Sequence, residues 1–178
     1  MKNFNCRALE EYSKHLENKK NETVEKPFSY RLNAFIIERT KNLKFEAVKN
    51  LNEVSFFEFK KNFCIEGKML ISSDFCKNTI FGSEKVNILF RAWHDDQHLK
   101  LNLGFDYSEE MAVCFSQLNE LPTNWIFEKK LIISEIIGQA LFHKKTGQFV
   151  GDQIKFTHDF LKVHRNKSIQ QILNEICN

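Results

Sequence analysis

The chain has 178 residues, 42% of them hydrophobic and 28% charged, and a formal net charge of +3. That length suits one domain that buries a core without staples, and the composition excludes a disordered chain. A charge so close to balance, with Lys and Arg spread along the sequence, gives no support to nucleic-acid binding.

The five cysteines, Cys6, Cys64, Cys76, Cys114 and Cys177, are odd in number and form no CxxC pair. This argues against a disulfide framework or a zinc ribbon. The apolar run "LIISEIIGQALF" (131–142) is interrupted by Glu135 and is too short to span a bilayer, so no membrane partner is expected. The N-terminal stretch is charged throughout and lacks the apolar run of a secretory signal, so a cytoplasmic location is expected.

Two prolines and six glycines punctuate the chain, and that scarcity favours helices over hairpins. The expected fold is all-α, a single-domain helical bundle with an N-terminal helical appendage. Residues 1–27 read as a helix carrying Leu9, Tyr12 and Leu16 at helical spacing, followed by a polar linker that ends at Pro27. Residues 28–178 read as the helical domain, with the candidate site in 86–145.

Tyr30 to Asn50 suggests a helix or two. Phe56, Phe59 and Phe63 share one helical face, although 54–59 also fits a strand, and 68–85 reads as loop plus a short element. A helix then opens at Ser83 or Glu84 and runs to Leu103, stopped by Gly104. Ser108 caps a helix to Leu121, with Glu109 and Glu110 in its first turn. A long helix from Asn124 to Lys145 ends at Gly147, Asp152 caps one to His164, and Ile169, Ile172 and Ile176 mark a last short one.

Three consecutive helices place ionisable residues on stripes that should be core. Phe90, His94, Gln97, His98 and Leu101 follow a spacing of three or four, as do Glu110, Cys114, Gln117, Leu118 and Leu121. Phe127, Leu131, Glu135, Gln139 and Phe142 repeat the pattern on a helix that is apolar nearly all round. Burying an unpaired carboxylate costs several kcal/mol or forces it to take up a proton. A divalent metal is the economical compensation, because imidazoles at i and i+4 chelate one ion from a single helix and carboxylates of neighbouring helices complete its shell. The expected ligands are His94, His98, Glu110 and Glu135. Gln139, and Asp95 or Asp96, would orient an imidazole or hold a water, and His143 is a reserve.

Each residue also has a structural reading. With six histidines, a pair four apart arises by chance roughly one time in six, so HxxxH alone is weak. Acidic residues suit any helix N-terminus, and Glu135 could pair with Arg91 in a structural network. His143, before Lys144 and Lys145, fits a helix C-terminus. His158 and His164 read as surface or helix-end residues, His15 lies in the appendage, Cys114 reads as a small buried hydrophobe, and Asp96 as solvated.

The stretches "FRAWHDDQHLKLNLGFDYSEEM" and "EIIGQALFHKKTGQFVGDQIKF" resemble a group of small proteins encoded by bacteriophages and some bacteria. These share WHDxxH, then a Phe and a helix-starting Glu, then ExxGQ and a later F-x-x-D-Q. The matching positions are Trp93, His94, Asp95, His98, Phe105, Glu110, Glu135, Gly138, Gln139, Phe149, Asp152 and Gln153, and the likeness spans about residues 88–157. It implies a site at these positions and names no reaction. A more distant likeness is to HD phosphohydrolases, helical metal enzymes in which adjacent His and Asp are ligands. His94 and Asp95 would be that pair. The upstream ligand histidine would have to be His15, and the downstream aspartate Asp152 or Asp159.

The expected function is a metal-dependent hydrolase in which zinc, manganese or iron lowers the pKa of a bound water and polarises an ester or phosphoryl oxygen. Glu135 or Asp95 would be the general base or the water-orienting group, and the substrate a small molecule or phosphoester. A redox role for iron is a variant. The alternative is a small phage-type interaction protein that acts on a host protein, whose buried His/Glu cluster only fixes helix packing.

Overall fold

The computed structural model describes residues 27–52 and 54–177, so the helix and linker expected over 1–27 lie outside the described residues apart from Pro27. Among the described residues the fold is mostly helical, as expected, with one small sheet added. Helix α1, Tyr30–Thr40, starts where the Ser29 hydroxyl accepts the Leu32 N–H at 3.3 Å, and it buries Leu32, Ile36 and Thr40 at a spacing of four.

What was expected as a second helix before Asn50 is instead strand β1, Phe45–Val48. Helix α2, Phe56–Glu66, follows, and the short element expected in 68–85 is strand β2, Met69–Ser72. The strands pair in parallel from Phe45↔Met69 to Val48↔Ser72. A parallel pair cannot be joined by a tight turn and needs a crossover, which α2 supplies. The helical option for Phe56, Phe59 and Phe63 prevails because Ser55 and Glu58 form a capping box and Gly67, at φ +66°, ends the helix.

Helix α3, Glu84–Leu101, is capped by the Ser83 hydroxyl and stops earlier than Leu103, because Asn102 takes the left-handed position at φ 54°. Helix α4, Tyr107–Glu120, also differs from expectation at its start. Asp106, not Ser108, is the N-cap, and its N–H donates to Glu109 Oε2 at 3.4 Å. The long helix is continuous in three parts: α5, Ile126–Ile133, a π-helical turn, Ser134–Gly138, and α6, Gln139–Thr146. Helix α7, Gln153–Val163, is capped by Asp152, whose Oδ1 accepts the Lys155 N–H at 3.0 Å, and α8 spans Ile169–Cys177.

The main core gathers Trp93, Ile132, Ile133, Ile137, Ile36 and Ile172, all fully buried. Helix α3 lies between α1 and α4, and the π turn is packed by α4 on one side and α7 on the other. The side of α3 facing α1 is closed by a charged network. Trp93 Nε1–H donates to Glu120 Oε2 at 3.0 Å, and Arg39 holds Glu120 at 2.6 Å and Asp96 at 3.2 Å. Asp96 is therefore not simply solvated, since Lys100 also pairs with it at 2.6 Å. No helix among the described residues is long and apolar enough to cross a membrane.

Candidate metal centre

Arg91, His94, Asp95 and His98 succeed one another at intervals of three, one and three along α3, which puts them on one face. Glu110, in the first turn of α4, reaches that face from the neighbouring helix. Its Oε2 lies 3.1 Å from His94 Nε2 and its Oε1 lies 3.6 Å from His98 Nε2. The two Nε2 atoms are 3.0 Å apart. One ligand atom from each of His94, His98 and Glu110 falls within 4.8 Å of the other two, a spread that one cation could satisfy.

The far nitrogens are fixed by acceptors. His94 Nδ1–H donates to Gln117 Oε1 at 3.0 Å, and His98 Nδ1–H donates to the Leu103 carbonyl at 3.2 Å. With Nδ1 carrying the proton, a neutral imidazole leaves Nε2 as a bare lone pair. Two bare lone pairs so close to each other and to a carboxylate repel, and a proton or a metal ion between them relieves that repulsion. His98 is fully buried, and its ring packs edge-on against Phe105 at 4.9 Å.

The titration of the cluster without metal is consistent with a proton held there. Burial disfavours the His94 imidazolium, but the hydrogen bond and charge of Glu110, with Asp95 adding, raise its pKa to about 9. Burial likewise pushes Glu110 up, and the two histidines outweigh it and hold the carboxylate well below its usual range. Asp95 is raised to about 6 by burial, with Glu110 adding and His94, His98 and Arg91 opposing. Glu135 is raised to about 8 by burial, against Arg91, Gln139 and His94.

The expected residues are thus brought together in part. His94, His98 and Glu110 converge, while Glu135 stands outside that set of mutually close donors. Its Oε2 is buried and has no hydrogen-bond partner, and it makes no salt bridge with Arg91, so the expected structural network does not form. The charge of His94 still acts on Glu135, opposing the rise that burial causes. Gln139 flanks Glu135 from the end of the π turn, and its side-chain amide acts as a hydrogen-bond donor toward the Glu135 carboxyl. The π turn is where a helix carries an extra residue, a feature frequent at functional sites. Gly138 closes it, and a Cβ there would stand 3.1 Å from Phe156 Cε1.

His143 is exposed at the end of α6 and stacks on Phe149 at 4.6 Å; it is not one of the converging donors. His164 is not a surface residue: it is only 2% exposed, at the end of α7, where burial first and then Lys167 and Lys130 press its pKa down to about 4. Cys114 is fully buried, as expected, and His15 lies outside the described residues.

Two groups that position the centre were missed. Gln117 stood on the stripe of Glu110 and Cys114, where a polar residue among apolar ones was the available signal. The Leu103 carbonyl carries no signal in sequence at all. Comparison with protein family models, curated proteins and solved structures finds no match. What fold and site define is a helical protein with an internal His–His–Glu group able to hold a metal ion.

Proposed function

We propose that the protein is a metal-dependent hydrolase, with His94 Nε2, His98 Nε2 and a Glu110 oxygen as ligands of one divalent ion, zinc, manganese or iron. The observation that carries this reading is the pair of Nε2 atoms 3.0 Å apart beside Glu110, with both Nδ1 positions already committed to acceptors. Three protein ligands leave coordination positions open, which is the arrangement of catalytic rather than structural sites. An ion held there would lower the pKa of a bound water and polarise the bond to be cleaved.

The chain's own groups do the rest. Gln117 and the Leu103 carbonyl fix the imidazole planes and tautomers. Asp95, on the same face of α3, is the group that accepts a proton from the attacking water, and Glu135, which burial keeps mainly protonated near neutral pH, is the acid that gives one to the leaving alcohol. In the net reaction the water oxygen bonds to the acyl or phosphoryl centre, the ester bond breaks, and the alcohol leaves with a proton.

Elemental analysis of the full chain purified without added metal tests this, repeated on His94→Ala and Glu110→Ala. One transition-metal ion per chain in the wild type, lost in both variants, is the expected result. No stoichiometric metal, together with no thermal shift on adding zinc, manganese or iron(II), would remove the reading. Glu135→Gln should keep the ion and lose turnover of ester or phosphoester substrates.

A further inference from the structure

Helix α1 buries Leu32, Ile36 and Thr40 on one side, and on another it carries Tyr30, Ala34 and Ile37 at intervals of four and three. All three of the second set are exposed, Tyr30 by 84% and Ile37 by 50%. Apolar residues scattered singly over a surface are ordinary, whereas a stripe of them along one helix calls for a cover.

The chain that precedes α1 leaves from the end of this stripe. Pro27 and Ser29 are buried, and Ser29 Oγ–H donates to Glu128 Oε1 at 2.6 Å. Phe28 packs so closely on Gly82 that a Cβ there would stand 2.5 Å from its ring. Residues 1–26, which lie outside the described residues, are therefore tethered to a fixed point just before Tyr30.

Their sequence carries a stripe of matching pitch. Leu9, Tyr12 and Leu16 stand at intervals of three and four, the reverse of the order on α1. Run antiparallel, Leu16 meets Tyr30, Tyr12 meets Ala34 and Leu9 meets Ile37, and the small Ala34 leaves room for the Tyr12 ring. Run parallel, the intervals fall out of step. A helix of this length is marginal in water by itself and takes its stability from packing an apolar face.

We propose that residues 3–17 dock on the Tyr30–Ala34–Ile37 stripe as a helix antiparallel to α1. The connecting residues 18–26 reach at most about 30 Å, ample for the roughly 8–10 Å between packed helix axes. The tether holds the segment at an effective concentration on the order of millimolar. A second copy of the chain lacks that advantage, and so short a stripe falls well below the roughly 20–30 residues a side of a stable interface.

Amide hydrogen exchange and NOE spectra of the full chain test this. Residues 9–16 should exchange at least about tenfold more slowly than in a free peptide of the same sequence, and cross-peaks should join the Leu9 and Ile37 side chains. Ile37→Glu should remove both signals and leave the amides of α3 as in wild type. Tyr30→Ser, at the more exposed position, should weaken the same protection and serves in its place if Ile37→Glu fails to fold. Wild-type amides as fast as those of the peptide overturn the docking, as does protection without the cross-peaks or protection that survives both variants. Protection that fades on dilution, while sedimentation shows a dimer dissociating, also overturns it, because a second copy would then be the cover.

Discussion

Gln117→Leu separates a site built for a metal from one that only fixes packing. The Gln117 side chain is fully buried; its oxygen accepts the His94 Nδ1–H at 3.0 Å, and its nitrogen has no partner. Leu fills a similar volume and removes both polar atoms. In the metal-free protein two effects oppose. An unsatisfied His94 N–H costs about 1–3 kcal/mol, and deleting the already unsatisfied amide nitrogen returns a similar amount. Net folding stability should therefore move by no more than about 1 kcal/mol, a residue of those two terms.

The metal affinity has no such compensation. Removing the partner that fixes a ligating imidazole weakens binding about 10- to 100-fold, or roughly 1.4–2.7 kcal/mol. Zinc competition against a chromophoric chelator near neutral pH, with urea unfolding in the presence of a chelator as control, measures both quantities. Gln117→Glu restores an acceptor and should recover most of the affinity. A zinc affinity within about threefold of wild type in a folded Gln117→Leu protein, well below the expected 10- to 100-fold loss, would refute the positioning role.

Metal binding must displace the proton on His94, whose pKa Glu110 and Asp95 raise to about 9 against burial, so apparent affinity should rise with pH up to that value, by about tenfold per unit. A flat profile between pH 6 and 8 would contradict a protonated His94 in the metal-free centre. Zinc at one hundred times its Kd should stabilise the fold by about 2.7 kcal/mol, an increment that His98→Ala abolishes in calorimetry or dye-based melting. His164 is buried and its pKa falls from 6.5 to about 4, so the unfolded chain takes up the proton first. Stability from this residue is present above pH 6.5 and is lost as pH falls toward 4, by up to about 3 kcal/mol. His164→Gln should narrow the gap in urea stability between pH 7.5 and 4.5; an unchanged gap would locate the acid sensitivity elsewhere.

Much of the site was legible because helical periodicity is local. His94 and His98 had to share a face once α3 formed, and Glu110 had to sit in a first turn once an N-cap stood just before it. The displacement of that cap from Ser108 to Asp106 changed neither statement. The small sheet was not legible in the same way. Phe45–Val48 and Met69–Ser72 are short segments whose partners lie across an intervening helix, and parallel pairing of that kind has no local signature. Asp96 illustrates a different limit. It lies away from the metal face, as its position implied, but the Arg39 that pairs with it comes from α1.

By itself, then, the sequence determined which residues can point the same way: the two histidines, the stripe bearing Glu110 and Gln117, and an acid held within the apolar helix at Glu135. Tertiary structure decided which of them meet. Spacing along a helix sets direction but not the distance between helices, and coordination turns on differences of an ångström or two. The packing of α4 against α3 brings Glu110 to 3.1 Å from His94 and turns Gln117 onto the far nitrogen. The π turn holds Glu135 beside that trio rather than in it, and His143 ends against Phe149. The same packing buries Gln117 Nε2 and Glu135 Oε2 without hydrogen-bond partners, a property of the assembled helices that no single stretch of the chain contains.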